Sequence, residues 1–388
     1  MSIKRILFVG MYPDEVNKYR NVFFQNLIYA MADEGIDCTV ISPVSYSKYR
    51  NRINNIPKQR FDYTPRGNRV LVYYPRYISF SSKRIGCLNT GILSEYFFQR
   101  AALEAYKSID KKFDCIYGHF FLSGGLAGIK IGNINKLPVY IAYGECDYDT
   151  EVVNLYRHLR KEDLFGLNGI IAVSTNNANI LRSKKIFDDI PFIVAPNAID
   201  NRIFIKLNKD ECRKKLGLPN DKFIVGFVGG FEDRKGDKRL LEAVNQLKDV
   251  FLAYAGKGKN PPIGEKVLFC KSLSHDQIPL FLNAVDVFAL PTKAEGSCNA
   301  VIEAMACSLP IISSDLPFNN DVLTNDNSIK INPESIEEIR KAIIKIKDNR
   351  TYREELAQNA FLSSKKLHIN IRAKKILSFM NNILEGEL

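Results

Sequence analysis

The 388-residue chain carries 55 Lys and Arg against 43 Asp and Glu, a net charge of +12, with 46% hydrophobic and 25% charged residues. This balance excludes a disordered chain, and the length sets the expectation of two domains, each large enough to bury its own core. The cysteines at 38, 87, 115, 146, 212, 270, 298 and 307 lack the paired spacing of a zinc site or redox motif, so they read as small buried hydrophobes in a reducing compartment.

The N-terminal stretch MSIKRILFVGMYP has an apolar run too short for a signal peptide and reads as a first buried strand. No apolar segment approaches the roughly 20 residues that cross a bilayer. The expectation is a cytoplasmic protein, neither secreted nor membrane-spanning.

Short β-rich apolar runs alternate with helical patterns, which predicts an α/β chain with parallel sheets flanked by helices. Strand Arg5–Val9 leads into a helical stretch around Phe23–Glu34, followed by strands at Cys38–Ile41, Val70–Tyr74, Asp114–Tyr117, Val139–Ala142, Gly169–Val173 and Phe192–Ala195. The last three have the spacing of successive strands in one doubly wound sheet. Between Lys48 and Arg84 lie ten basic residues (Lys48, Arg50, Arg52, Lys58, Arg60, Arg66, Arg69, Arg76, Lys83, Arg84) and one acidic residue, Asp62, interleaved with Tyr49, Phe61, Tyr63, Tyr73, Tyr74, Tyr77 and Phe80. Basic charge with amphipathic aromatics suits an anionic membrane surface or a lipid-phosphate acceptor, and equally single-stranded nucleic acid. It also fits a solvated loop with ordinary strand aromatics.

A second series follows the polar join Asn201–Asn220, whose KLNKDECRKKLGLPND holds a short amphipathic helix ended by Gly217 and Pro219. It comprises strands at Phe223–Phe227, Val250–Ala255, Lys266–Phe269, Val285–Ala289 and Ile311–Ser313, with helices near Lys238–Leu247 and Ala300–Cys307. The tail is helical, and IRAKKILSFMNNIL has an apolar stripe that needs a surface to cover it. The division is therefore residues 1–200, residues 201–365, and a C-terminal helix at 366–388.

The chain has neither G-x-G-x-x-G after its first strand nor G-x-x-x-x-G-K-[ST] anywhere, which argues against nicotinamide dehydrogenases and P-loop ATPases. Its glycine-bearing strand end is FIVGFVGGFEDRKGDKRLLEA, where a strand runs into Gly229 and Gly230, a turn presents Arg234 and Lys235, and Gly236 precedes a helix. Glycine permits close backbone approach, and the two cations can hold diphosphate oxygens. Taken alone, the segment also reads as a tight strand-to-helix turn with surface charges.

In VDVFALPTKAEGSCNAVIEAMACSLPIISSD a buried strand ends in a loop with Glu295 and Gly296, ahead of a helix containing Glu303. The helix start offers free N–H groups from Ser297 through Cys298 and Asn299 to Ala300, where anions are stabilised. The two carboxylates suit the hydroxyls of a ribose and a hexose, each charge-assisted bond contributing roughly 1.5–3 kcal/mol. Glu303 lies among Val301, Ile302, Ala304, Met305 and Ala306, and a carboxylate in so apolar a run usually has a partner.

The stretch from Glu295 to Glu303 resembles the E-x7-E signature of retaining glycosyltransferases of family 4, also called group 1. AVSTNNANIL with VAPNAIDNRIF resembles the family's pre-linker pattern, Asn197, Asp200 and Phe204 taking the places of its N-G-V-D-x-x-x-F element. GGFEDRKG resembles its donor phosphate loop, and SDLPFNND the segment after the last catalytic strand.

The resemblance implies a GT-B fold, two Rossmann-like domains facing a central cleft, with the C-terminal helix crossing back to the first. It implies that Lys235 binds the donor diphosphate, Glu303 the ribose and Glu295 the transferred sugar, with N–H groups near Cys298–Ala300 closing around the donor. It further implies retention of anomeric configuration and no metal. The family's first-domain histidine, in an H-G-x-D-like turn, is replaced here by Tyr143 in IAYGECD, with Glu145 and Asp147 nearby, while His119 follows the preceding strand in YGHFFLSGGLAG.

Together these features predict a hexose or N-acetylhexosamine transferase using a UDP-sugar, with GDP-mannose as second choice, and a glycan or lipid-linked acceptor. Peripheral contact with anionic membrane through Lys48–Arg84 is part of that expectation. The alternatives are a non-catalytic nucleotide-sugar-binding partner of a polysaccharide assembly complex and a nucleotide-sugar epimerase. Nucleic-acid binding leaves the second-domain carboxylates unexplained.

Overall fold

A computed structural model describes residues 2–86, 88–146 and 160–387. The chain divides into two compact units, one of Met1–Ala195 with Asn370–Leu388 and the other of Pro196–Ile369. Structure and sequence thus place the join a few residues apart, at Ala195/Pro196 and near Asp200.

The first unit holds β1 (Arg5–Val9), β2 (Asp37–Ile41), β3 (Gln59–Tyr63), β4 (Arg69–Tyr73), β5 (Cys115–His119), β6 (Val139–Tyr143), β7 (Leu167–Ala172) and β8 (Phe192–Val194). They form one sheet in the order β8-β7-β6-β5-β1-β2-β4-β3, parallel except for the antiparallel β3/β4 pair at one edge. Every residue of β5 and β6 is buried, the mark of strands covered on both faces. The apolar stripe of the tail becomes the helix Ile369–Glu385, which belongs to this unit. Its Ala373, Ile376, Phe379 and Met380 are buried, and Tyr140 Oη donates to the Met380 carbonyl at 2.9 Å. Gly169 lets the helix come close, since a Cβ there would lie 2.9 Å from Ile383 Cδ1.

In the basic aromatic segment the structure separates charge by location. Arg60 turns inward to Asp62 and Glu15 and lies 5.4 Å from the Tyr74 ring, and Arg69 covers Phe61 at 4.6 Å. Lys48, Arg50, Arg52, Lys58 and Lys83 remain exposed.

The second unit holds β9 (Phe223–Gly230), β10 (Val250–Lys257), β11 (Val267–Lys271), β12 (Val287–Leu290), β13 (Ile311–Ser314) and β14 (Ile329–Ile331), in the order β11-β10-β9-β12-β13-β14. All pairs are parallel. This is the doubly wound order in which the strand order reverses between the first and fourth strands, here β9 and β12. Ligands bind such sheets at that reversal, beyond the carboxyl ends of the strands. The polar join folds as expected into the helix Lys209–Leu216, capped by the Asn208 side chain and closed by Gly217 at φ 69°.

Candidate active site

The carboxyl ends of β9 and β12 carry the two motifs. After β9 the chain makes a tight turn over Asp233–Lys235, closed by a Lys235 N–H to Glu232 carbonyl bond of 2.9 Å. Gly236 then adopts φ 81° with the Pro291 carbonyl only 2.4 Å from where a Cβ would sit, so glycine is required at this position. The turn is stitched to the loop after β12 by the Lys293 N–H to Arg234 carbonyl bond and by Arg239, which donates to Pro291, Pro333 and Asp233. Sequence reading missed Arg239, because its role depends on the closeness of two distant loops.

Within this frame Lys235 Nζ and Arg234 Nη1 both reach Glu295 Oε1, the latter at 3.2 Å, and Thr292 Oγ1 donates to the same oxygen at 3.0 Å. Arg234 also holds Glu232 at 2.8 Å and the Ala294 carbonyl. Burial works against the Lys235 ammonium, but the charge of Glu295 and its hydrogen bond to Nζ outweigh it and hold the pKa above its ordinary value. A Cβ at Gly230 would meet nothing closer than 3.7 Å, so the backbone here is open to close approach. Gly229 lies beside it on the strand, 3.8 Å in the same sense from Lys235 Cδ.

Gly296 and Ser297 lead into the helix Asn299–Ala306. Ser297 is tied to the pre-linker element, its Oγ accepting the Asn197 N–H at 3.1 Å and its carbonyl the Asn197 side-chain amide at 3.3 Å. Asp200 pairs with Arg202, and Phe204 is buried. Cys298 is buried at the helix start, and burial pushes its thiol up to about 12, with Glu295, Lys235 and Glu303 also acting on it. The thiol is therefore protonated and unreactive, and the three charged groups are gathered around it. Glu303, 8% exposed, faces His275, whose Nε2 lies 3.3 Å from Oε1. The buried carboxylate thus has the partner its apolar surroundings demand, from a residue that lies in no motif.

In the first unit, Tyr143 ends β6 and is fully buried. Glu145 is also buried, its Oε1 accepting the Phe121 N–H at 2.6 Å and the Leu122 N–H at 3.3 Å, and its Oε2 the Gly144 N–H at 3.1 Å. Burial raises its pKa from 4.5 to about 7 against the pull of those N–H groups. Glu95 grips the same loop from the helix Thr90–Lys107, accepting the Ser123 N–H at 2.8 Å and hydroxyl at 2.6 Å.

His119 ends β5, stacked on Phe24 at 4.0 Å and 13°. Both ring nitrogens are buried with no hydrogen-bond partner among the described residues, and burial, helped by the charge of Arg372, lowers its pKa to about 3. In this geometry the imidazole is a packed ring without access to a substrate proton. Asp147 lies outside the described residues.

A cavity of about 610 Å³ lined by Lys206, Asp286, Pro310, Arg350 and Arg353 sits at the amino ends of β12 and β13, the edge opposite the two motifs. Among the described residues no group of three or more His, Cys, Asp or Glu side chains is placed to hold a metal ion.

Residues 208–362 match the family model described as glycosyl transferases group 1. The chain is 24% identical over 374 residues to the putative teichuronic acid biosynthesis glycosyltransferase TuaC of Bacillus subtilis, covering 92% of this chain and 93% of that one. Among solved structures, sucrose-phosphate synthase of Thermosynechococcus elongatus superposes with a TM-score of 0.80 at 18% identity, covering 99% of this chain and 100% of that one. HepE of Anabaena, solved with UDP, gives 0.69 at 16% identity over 97% and 100%. The fold is GT-B, and the matched domain and the end-to-end relative together support a group 1 glycosyltransferase.

Proposed function

We propose that the chain is a retaining glycosyltransferase that moves a hexose or N-acetylhexosamine from a nucleotide diphosphate sugar to a glycan or lipid-linked acceptor in cell-surface polysaccharide synthesis. The observation that carries this reading is the convergence of Arg234, Lys235 and Thr292 on Glu295 at the strand reversal, with Glu303 just over one turn into the helix that follows. Two cations beside open glycine backbone suit a departing diphosphate, and the carboxylates of half-buried Glu295 and buried Glu303 suit sugar hydroxyls. Arg234 and Lys235 supply the positive charge the diphosphate needs, so no metal is called for.

A UDP-sugar is favoured, supported by the UDP bound in HepE, with GDP-mannose as the second choice. The teichuronic acid role in the name of the Bacillus relative supports the cell-surface pathway. Peripheral attachment to anionic lipid through the exposed part of Lys48–Arg84 completes the proposal.

The test is a thermal-shift screen of UDP-sugars and GDP-mannose, followed by NMR of the sugar released or transferred from the donor that stabilises the protein. An α-linked donor should give α product first, and the reaction should survive a chelator. Release of β product overturns the retaining assignment, and donor binding without transfer or hydrolysis points to the non-catalytic alternative.

A further inference from the structure

Glu303 occupies the buried face of the helix Asn299–Ala306, and among the described residues its side-chain hydrogen-bond partner is one imidazole, that of His275. That imidazole is itself fixed. The turn bearing His275 is closed by reciprocal bonds between Ser274 and Gln277, the Gln277 N–H to Ser274 and the Ser274 N–H to Gln277 Oε1 at 3.1 Å. The ring is also met edge-on by buried Phe204, centroids 5.4 Å apart at 75°. A ring set from two sides and bonded to Oε1 holds the carboxylate in one orientation and leaves Oε2 for a ligand.

We infer that His275 is the positioning residue of Glu303, and that the pair, rather than the carboxylate alone, selects a ribose over a 2′-deoxyribose in the donor. This rests on the reading of Glu303 as the ribose ligand. A carboxylate free to rotate would spend part of its time turned away from the diol, whereas one clamped at a single oxygen offers the other in a fixed direction.

The clamp also answers an electrostatic difficulty. Two carboxylates near a diphosphate repel it unless neutralised. Glu295 is neutralised by Lys235 and Arg234, and His275 does the same for Glu303 when protonated. Burial pulls the His275 pKa down, but the bond to Glu303, its charge and that of Asp276 raise it overall. In the neutral ring the Nε2–H tautomer preserves the same bond, so the clamp holds across neutral pH.

The experiment is calorimetric titration of UDP and 2′-deoxy-UDP, with GDP and 2′-deoxy-GDP in parallel, into wild type, His275→Ala, His275→Gln, Glu303→Gln and the His275→Ala/Glu303→Gln double variant. Wild type should prefer the ribonucleotide by about tenfold or more. His275→Ala should reduce that preference to about threefold or less, while affinity for inorganic pyrophosphate stays near wild type. His275→Gln, which keeps an N–H at the same reach, should restore most of it, and the double variant should lose nothing beyond Glu303→Gln. Full ribose preference in His275→Ala, or multiplicative losses in the double variant, overturns the inference. Wild type that binds ribo- and deoxyribonucleotide equally overturns the ribose reading of Glu303 itself.

Discussion

At the scale of single residues, the feature with the sharpest consequence is that Lys235 and Arg234 both pair with Glu295. On the proposed donor reading a diphosphate draws on the same cations, so Glu295 would compete with the nucleotide for Lys235. Lys235→Ala should weaken nucleoside diphosphate binding about 10- to 100-fold, the loss of one or two charge-assisted bonds. Glu295→Gln should bind UDP up to a few-fold more tightly than wild type and yet lose transfer by about 100-fold or more, because it removes the proposed sugar contact. Weaker UDP binding by Glu295→Gln in calorimetry would mean that the carboxylate only supports the fold of the turn. His119 makes a contrasting case. Its folded pKa of about 3 lies below the ordinary 6.5, so its contribution to stability is complete above pH 6.5 and is lost as pH falls toward 3. His119→Phe fills the same aromatic stack without unpaired nitrogens. It should melt above wild type at pH 5, by less at pH 7.5, and retain turnover within about threefold; loss of turnover would restore the ring to the chemistry.

At the scale of elements, Glu145 and Glu95 together hold the loop after β5 in a conformation with two unfavourable residues, Phe120 at φ 64° and Ser123 at φ 57°. Left-handed backbone at non-glycine residues costs roughly 1–3 kcal/mol each, so the loop keeps its shape only while it is held. The Glu145 pKa is raised from 4.5 to about 7, which means that its stabilising contribution is complete below pH 4.5 and declines as pH rises through 7. Melting temperatures across pH 4–8 should therefore show Glu145→Gln gaining on wild type as pH rises, by an amount on the order of 3 kcal/mol at most. A constant difference would mean that Glu145 is ionised throughout.

Neither glutamate advertised this role, because their partners are backbone amides set by the chain's return over Gly124, where a Cβ would fall 2.4 Å from the His119 and Val9 carbonyls. What was legible followed local chemistry. β1 is read to the residue, and the helices containing Glu303 and Ile376 are found within a residue or two, because apolar runs, capping residues and glycine stops write themselves into the chain. The antiparallel edge strand Gln59–Tyr63 was not legible, since QRFDY alternates around charges whose partners include Glu15, 45 residues away. His275 and Arg239 escaped because Glu303 and Pro291, which they meet across loops, lie 28 and 52 residues away.

At the scale of the whole molecule, a net charge of +12 attracts any anionic surface, but charge alone would give loose, wholly salt-sensitive binding. The first unit adds apolar contacts: Tyr46, Ile78, Phe80, Leu93 and Tyr96 are each 42–59% exposed, and Phe80 and Tyr96 lie about 6 Å from Phe97. The Phe80 N–H bonded to Ser94 Oγ at 2.7 Å holds the loop against the helix Thr90–Lys107, and Lys130 sits 5.3 Å from the Tyr96 ring. Among the described residues no helix is long and apolar enough to cross a membrane, so attachment by this surface would be interfacial. Each basic residue near an anionic bilayer contributes about 1 kcal/mol, and each inserted aromatic adds apolar burial that salt does not screen. Co-sedimentation with vesicles rich in phosphatidylglycerol should therefore retain the protein at low salt and release only part of it at 0.5 M. Lys48→Glu with Lys83→Glu should abolish the salt-sensitive part, and Phe80→Ser with Leu93→Ser the remainder, while UDP affinity in solution stays unchanged in both. Failure of the vesicles to hold wild type at low salt would remove the membrane from the proposal and leave a soluble acceptor as the partner of the donor site.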